Sequence, residues 1–328
     1  MENVILVDFD VPKDWIFSKA LRMATKKEWK VIQAISNRNH GNVYQKFLRY
    51  LKYFTFPFKI FLNRNKYAHV FAWQQFYGLV LAFYFRIFGV KNAPEITVMT
   101  FIYKPKKNIF GSMYANFIRY VVKSGYINKF IVFSNNEKKY YAELFDVPEE
   151  YFLVATLGLE DQYDLYSTKT EDFFVSAGRS NRDYSFLIKS WGNENQLIII
   201  CDTCNENDTE YIKIMKHCHD EQYMQELARS YAVIVPLEEE NISSGQLVIL
   251  QAMMLKKPVI VTKNKTVVEY IEHGKEGFII DKNKEALERA IRQLKIPEVY
   301  EVMAECARRR FVNNFSLHAM GTQIGERI

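Results

Sequence analysis

The sequence predicts an α/β protein of two doubly wound domains in tandem, each a parallel sheet with helices on both faces. Three observations predict it. Short β-branched runs alternate with helix-length stretches through both halves of the chain. Strands such as Leu197 to Cys201 (LIIIC) are continuously apolar, as a strand buried on both faces must be. The 328 residues suit two domains of about 150 residues each. A composition of 48% hydrophobic and 25% charged residues supplies two cores and leaves little room for disorder.

In the first half, Val4 to Val7 reads as a strand, Phe17 to Lys27 as a helix and Lys30 to Ser36 as a strand. A helix starts at Val43, and Pro57 should kink or end it. His69 to Ala72 is a short strand ahead of the apolar helix Phe76 to Phe88. Glu95 to Ile102 is a strand, Phe110 to Lys123 a helix, Lys129 to Phe133 a strand, Lys138 to Phe145 a helix and Phe152 to Ala155 a strand. In the second half, strands are expected at Phe173 to Ser176, Leu197 to Cys201, Ile212 to Met215, Val233 to Pro236, Pro258 to Thr262 and Gly277 to Ile280. The helices between and after them are Tyr184 to Trp191, Gln222 to Tyr231, Leu247 to Leu255, Val267 to His273 and Lys284 to Leu294. The polar stretch Thr168 to Asp172 (TKTED) is taken as the linker. The expected domains are therefore 1–167 and 168–310, with 311–328 as a helix packing back toward the first.

Several classes are excluded. The longest apolar run, Phe76 to Phe85, is half of the roughly 20 residues a spanning helix needs, so a polytopic membrane protein is ruled out. The start of the chain has no basic region ahead of an apolar run, so a secretory signal is not expected. Four cysteines confined to the second half do not make a disulfide scaffold, and a cytoplasmic setting fits them. Charge is uneven. Residues 1–165 hold 23 Lys+Arg against 14 Asp+Glu, a net +9, while the remainder nets −3. A basic, aromatic half points to an anionic surface. From Val43 to Leu62, Lys46, Arg49 and Lys52 recur every three residues along one stripe, beside Phe47, Tyr50, Leu51 and Phe54. That arrangement suits a helix lying in a lipid headgroup layer, at the inner face of the cell membrane, as well as a core-facing helix. No zinc finger, RNP-type strand or GXXG clamp speaks for nucleic acid.

Ligands in doubly wound sheets bind beyond the carboxyl ends of strands. Two such loops carry chemistry. After Phe173 to Ser176 comes Ala177-Gly178-Arg179-Ser180-Asn181-Arg182, a small-Gly-Arg turn with two guanidiniums three residues apart. Arginine forks match diphosphate oxygens. After Val233 to Pro236 comes Ser243-Ser244-Gly245-Gln246 at the start of a helix, where unpaired N–H groups and the helix dipole favour a phosphate. Each loop alone also reads as an ordinary turn or cap.

Together, VSAGRSNRDYSFLI, VIVPL…NISSGQLVILQAMMLKKPVIVT, VVEYIEHGKEGFII and NNFS resemble the nucleotide-sugar domain of GT-B glycosyltransferases, close to glycosyltransferase family 4. The stretch IVFSNNEKKYYAELFDVPEEYFLVATLGLED resembles the segment before that family's domain linker. The resemblance spans about Phe130 to Phe315. It implies two Rossmann-like domains facing a cleft, a nucleotide-diphosphate sugar donor (uridine rather than guanosine) and a saccharide acceptor. The basic first domain adds the expectation that this acceptor is lipid-linked, as in surface polysaccharide assembly. The resemblance further implies a retaining, metal-independent transfer in which Arg179 and Arg182 stabilise the departing diphosphate. Gly178, Ser244, Gly245 and Gln246 would bind the donor, and Cys218 and His219 would line the nucleobase. The family's Glu-x7-Glu motif falls here on Ser243 and Gln251. Gln251 can still bond a ribose hydroxyl, whereas Ser243 is too short to replace a glutamate. A histidine that often contacts the donor sugar is missing from the strand end Thr100 to Lys104, where Tyr103 or Lys104 would substitute. Trp73, Gln74 and Gln75, at another strand end, are equal candidates for acceptor contacts.

Three other readings stand beside this one. The departures from the family pattern are compatible with a non-catalytic nucleotide-sugar-binding or scaffolding relative. Val4 to Val11 (VILVDFDV) has the form of the first motif of haloacid-dehalogenase-type phosphatases, with Asp8 as nucleophile and Asp10 as acid, but the second half of the chain is then unexplained. Cys201-x2-Cys204 with His217-Cys218-His219 has the ligand types of a zinc site, although Cys201 ends an apolar strand where a buried thiol is ordinary.

Overall fold

The structure is a computed structural model, and it describes residues 1–34, 43–103, 109–166, 168–239, 244–265 and 267–328, with backbone alone for 43–47, 109 and 110. The chain forms two compact units. The first is Met1–Leu157 together with Leu317–Ile328, and the second is Gly158–Ser316.

The first unit runs β1 (Glu2–Val7), α1 (Ile16–Thr25), β2 (Trp29–Gln33), α2 (Val43–Leu62), β3 (Tyr67–Ala72), α3 (Gln75–Ile87), β4 (Glu95–Val98), α4 (Ile109–Val122), β5 (Lys129–Val132), α5 (Asn135–Phe145) and β6 (Phe152–Val154). The second contains α6 (Tyr163–Tyr166), β7 (Phe173–Ala177), α7 (Tyr184–Ser190), β8 (Gln196–Ile200), β9 (Ile212–Met215), α8 (Asp220–Arg229), β10 (Ala232–Val235), α9 (Gln246–Met254), β11 (Val259–Thr262), β12 (Gly277–Ile280), α10 (Lys284–Leu294) and α11 (Pro297–Arg310). A π-turn at Phe311–Phe315 leads to α12 (Leu317–Gly325), which returns to the first unit.

Among the described residues each unit is built on a six-stranded sheet, and every strand pairing in both is parallel. The order is β2-β1-β3-β4-β5-β6 in the first and β12-β11-β10-β7-β8-β9 in the second. The central strands are mostly apolar and buried on both faces. Val4 to Val7, Phe174 and Val175, and Val233 are all at 0% exposure. The second order reverses direction between β7 and β10. At such a switch point the two neighbouring connections leave on opposite faces of the sheet, and a crevice opens at the carboxyl ends of the strands.

The unit boundary falls at Leu157/Gly158, ten residues before the expected 167/168. The reason is local: Leu159 N–H donates to Phe315 O at 2.8 Å, and Arg308 grips Asp161 through two bonds of 2.9 and 2.7 Å. The return segment begins at Leu317, not 311. There Gly321 and Gly325 let α12 lie against α1, since a Cβ on them would come within 2.8 Å of Phe17 O and 2.6 Å of the Ala24 Cβ.

Other elements depart from expectation. The fourth strand stops at Val98, because Thr100 takes a left-handed backbone (φ 54°) that no strand continues through. The helix α2 continues past Pro57, which is buried, as are Ile60 and Phe61 in the next turn. Tertiary packing there outweighs the lost backbone bond. The expected helix Val267 to His273 is only a 3₁₀ turn, Val267–Glu269. In the other direction, α11 was not anticipated. The end of the expected strand Lys30 to Ser36 lies outside the described residues.

His69, at 3% exposure on β3, shares a 2.9 Å bond with Thr97 Oγ1. Burial, helped by the Lys27 charge, holds its imidazole down to about 4 from 6.5. Glu95 lies 3.3 Å from Nδ1 but is itself largely in solvent, so it does not offset the desolvation. The native state therefore keeps His69 neutral while the unfolded chain takes up a proton below pH 6.5. Stability should fall by about 3 kcal/mol as pH drops from 6.5 to 4. Urea unfolding across that range measures it, and His69→Gln should flatten the slope. Equal slopes in both proteins would refute the assignment.

Candidate functional site

In the second unit the loop after β7 meets the loop after β10 at the switch point. Gly178 (φ 105°) and Asn181 (φ 54°) bend the first loop through conformations that favour glycine and asparagine. Asn181 then joins the two loops. Its Nδ2 donates to Ser244 Oγ at 2.9 Å and to Glu239 O at 3.2 Å, and its Oδ1 accepts Glu239 N–H at 2.9 Å. An antiparallel bridge between Arg182 and Leu237 continues the seam. From the far side, Thr262 bonds the Leu237 backbone, Asn264 Nδ2 donates to Glu239 O at 3.0 Å, and Lys282 Nζ donates to Asp183 Oδ2 and Glu238 O, each at 3.0 Å.

Arg182 lies in the middle of this seam. Its Nε donates to Ala177 O at 3.0 Å and its Nη1 to Ser180 O at 2.8 Å, which pins the guanidinium in one orientation. A Cβ on Gly178 would come within 2.9 Å of Nη2, and one on Gly245 within 3.8 Å of Nη1. The two glycines thus flank the guanidinium. Gly245 (φ 88°) is the N-cap of α9, and Gln246 is its first residue. The arginine is partly buried, its pKa is lowered by desolvation, and no carboxylate among the described residues pairs with it. A fixed, partly desolvated cation at a helix N-terminus favours an anion.

Arg179 stands on the other side of Gly178. It lines a hollow of about 370 Å³ with Gly178, Asp202, Cys218, His219 and Tyr223. The His217 N–H, followed by the His219, His217 and Arg179 charges, holds the Asp202 carboxyl below its usual range. Burial pushes the Cys218 thiol up, so it is no thiolate, and raises the Tyr223 phenol. Tyr223 OH donates to Gln251 Oε1 at 2.8 Å. A larger hollow of about 710 Å³, beside Lys257, Thr170 and Tyr300, lies at the amino ends of β7 and β11. That is the wrong end of the sheet for the crevice described above.

The expected residues are thus distributed as follows. Gly178, Arg182, Ser244, Gly245 and Gln246 are brought together; Arg179, Cys218 and His219 share the adjoining hollow; Gln251 is reached through Tyr223. Ser243 and Lys104 lie outside the described residues. In the first unit Trp73 sits in an aromatic cluster with Trp15 and Phe17, at 4.9 and 4.8 Å between ring centroids. Gln74 caps α3, accepting from Phe76 N–H at 3.3 Å, and donates to Asp8 at 3.2 Å. Tyr103 is buried, with its ring against Tyr114 and Phe145, so it belongs to the core and not to an open surface. Cys201 and Cys204 are likewise core residues of the second unit. Asn181 and Tyr223 stand in the site without being among the expected residues. A left-handed turn signal at Ser-Asn marks the first, but nothing local marks the second.

Residues 173–295 match the family model described as Glycosyl transferases group 1. No curated protein sequence matches the chain. Among solved structures, HepE of Anabaena in complex with UDP is similar over 99% of both chains, with 16% identity and a TM-score of 0.65. A glycosyltransferase of Rickettsia africae is similar over 98% of this chain and 96% of its own, with 15% identity and a TM-score of 0.63. Sucrose-phosphate synthase of Thermosynechococcus elongatus is similar over 99% and 98%, with 13% identity and a TM-score of 0.63. The fold is the two-domain GT-B fold. The family match lies within the second unit, and the likeness to these structures is one of fold.

Proposed function

We propose that the protein transfers a hexosyl unit from a UDP-sugar to a saccharide acceptor, with retention and without a metal. The second unit would hold the donor and the first the acceptor. The observation that carries this reading is Arg182, fixed between Gly178 and Gly245 at the start of α9 with no carboxylate paired to it among the described residues. There the donor's diphosphate would lie against the guanidinium and the N-terminus of the helix. Arg179, across Gly178, adds a second cation. The bond from the anomeric carbon to the phosphate oxygen breaks while the acceptor hydroxyl bonds to that carbon on the same face. The hydroxyl proton passes to the departing phosphate oxygen. No side chain is needed as nucleophile, so the protein contributes charge stabilisation and positioning. Gln251, held by Tyr223, would face the ribose, and Cys218 and His219 the base. HepE, which shares the fold, has been solved with UDP and with UDP-glucose.

Release of UDP from a panel of UDP-sugars in the presence of saccharide acceptors tests the reading. Turnover is expected with at least one pair, together with a rise in melting temperature on adding UDP. A rise without turnover on any pair would favour a nucleotide-sugar-binding relative without activity.

A lipid-linked acceptor at a membrane surface is supported by α2. Tyr50, Leu51, Phe54, Phe58 and Leu62 form an exposed stripe, with Phe54 at 51% and Leu62 at 62% exposure, and Lys59 stands among them. Its other face, Ile60 and Phe61, fills the core. Among the described residues no helix is long and apolar enough to cross a membrane, so the stripe would lie in the headgroup layer. The protein should sediment with anionic phosphatidylglycerol vesicles at low salt and be released at high salt. If it stays in the supernatant at low salt, the membrane part of the reading fails.

A further inference from the structure

The loops after β8 and β9 bring together three side chains, of which Asp202 and His217 have no part in the proposed transfer. Asp202 offers a carboxylate oxygen, and His217 and His219 each a ring nitrogen, all within 4.8 Å of one another. The cluster is braced by its own backbone. Asp202 Oδ1 accepts the His217 N–H at 2.7 Å, and Oδ2 stands 3.4 Å from His219 Nε2. His217 adopts a left-handed backbone (φ 57°), and the two imidazoles end 6.5 Å apart between centroids, at 73° to one another.

We propose that Asp202, His217 and His219 form a binding site for one divalent transition ion of the zinc class, with a further position open to solvent. Two imidazoles and one carboxylate are a donor set for such ions, whereas magnesium and calcium prefer oxygen alone. At zinc–ligand lengths near 2.0–2.2 Å, tetrahedral ligand atoms stand roughly 3.4 Å apart. The three side chains are exposed, so small rotations close the remaining gap without opening the core. Cys201 and Cys204, the thiols nearest in sequence to Asp202, are buried in the core and take no part. The site stands at the rim of the hollow that holds Arg179, but its occupancy is measured with no nucleotide present. The outcome is therefore independent of glycosyl transfer.

Calorimetric titration of the untagged full chain with Zn²⁺ tests the site, with Co²⁺ absorption reporting the ligand type. One ion per chain is expected, with nitrogen and oxygen ligation. His217→Ala and His219→Ala should each weaken binding by at least the roughly 10–100-fold that loss of a ligand's supporting partner costs, and the double variant should lose it. Asp202→Asn keeps an acceptor for the His217 N–H and should weaken the ion similarly. The metal-free melting temperature should hardly change in any of them. The proposal is overturned by no saturable binding to the parent protein, by unchanged affinity in the double variant, or by thiolate charge-transfer bands with Co²⁺.

Discussion

Arg182→Ala is expected to lower the turnover number for UDP release by about 10²–10³-fold while the protein stays folded. The guanidinium does two jobs at once. Two of its N–H groups hold Ala177 O and Ser180 O, and Nη2, which makes no hydrogen bond to a described residue, remains for a ligand. Arg182→Lys should recover little, because one ammonium cannot hold both carbonyls and still reach an anion. Gly178→Ala should imitate the loss without removing charge. Its Cβ would stand 2.9 Å from Nη2, and its φ of 105° is one an alanine rarely adopts. Steady-state kinetics with circular dichroism on the same samples decide the matter. A well-folded Arg182→Ala protein with near-parental turnover would remove the basis for the proposed site.

Gly277→Ala should give the largest loss of stability in the second unit. The residue pairs β12 with Val259 of β11, and a Cβ there would lie 2.0 Å from the Val259 carbonyl oxygen. That atom is sheet backbone and cannot swing aside as a side chain would. The strand must move, at a cost of about 3 kcal/mol or more. Urea unfolding followed by tryptophan fluorescence should show an earlier transition. Because two units need not melt together, the shift should appear in one phase and leave another in place. A midpoint within error of the parent would show that β12, an edge strand, accommodates the methyl freely.

Most of the architecture was legible because it rests on local pattern. VILV, FFVSA, LIII and AVIV are buried strands whatever surrounds them, and the loops at their carboxyl ends follow from parallel pairing. Glycine at 178 and 245 and arginine at 182 were legible for the same reason, since turn and cap chemistry is written in a few adjacent residues. What was not legible depends on partners far along the chain. Asn181 closes the seam only because Ser244 and Glu239 arrive about 60 residues later. Tyr223 reads as one aromatic on an amphipathic helix until Gln251 comes within 2.8 Å. Tyr103 looked like a strand-end contact and proved to be core, because Tyr141 OH binds its backbone and Phe145 covers its ring. The helix α11 is not legible because its buried residues, Met303, Ala304 and Ala307, are small or sparse among six charged ones. The Ser134 cap and Glu137, whose carboxylate accepts the Phe133 N–H, act as one signal and start α5 at Asn135, three residues before the expected Lys138.

The return of α12 to the first unit has a consequence for biosynthesis. On a ribosome, residues 1–157 emerge first, yet Phe17 and Leu21 of α1 bury their faces against Met320 and Ile324. Until those late residues are made, that apolar surface has no cover. The half of the molecule translated first is therefore finished last, after the intervening 159 residues have already been free to fold.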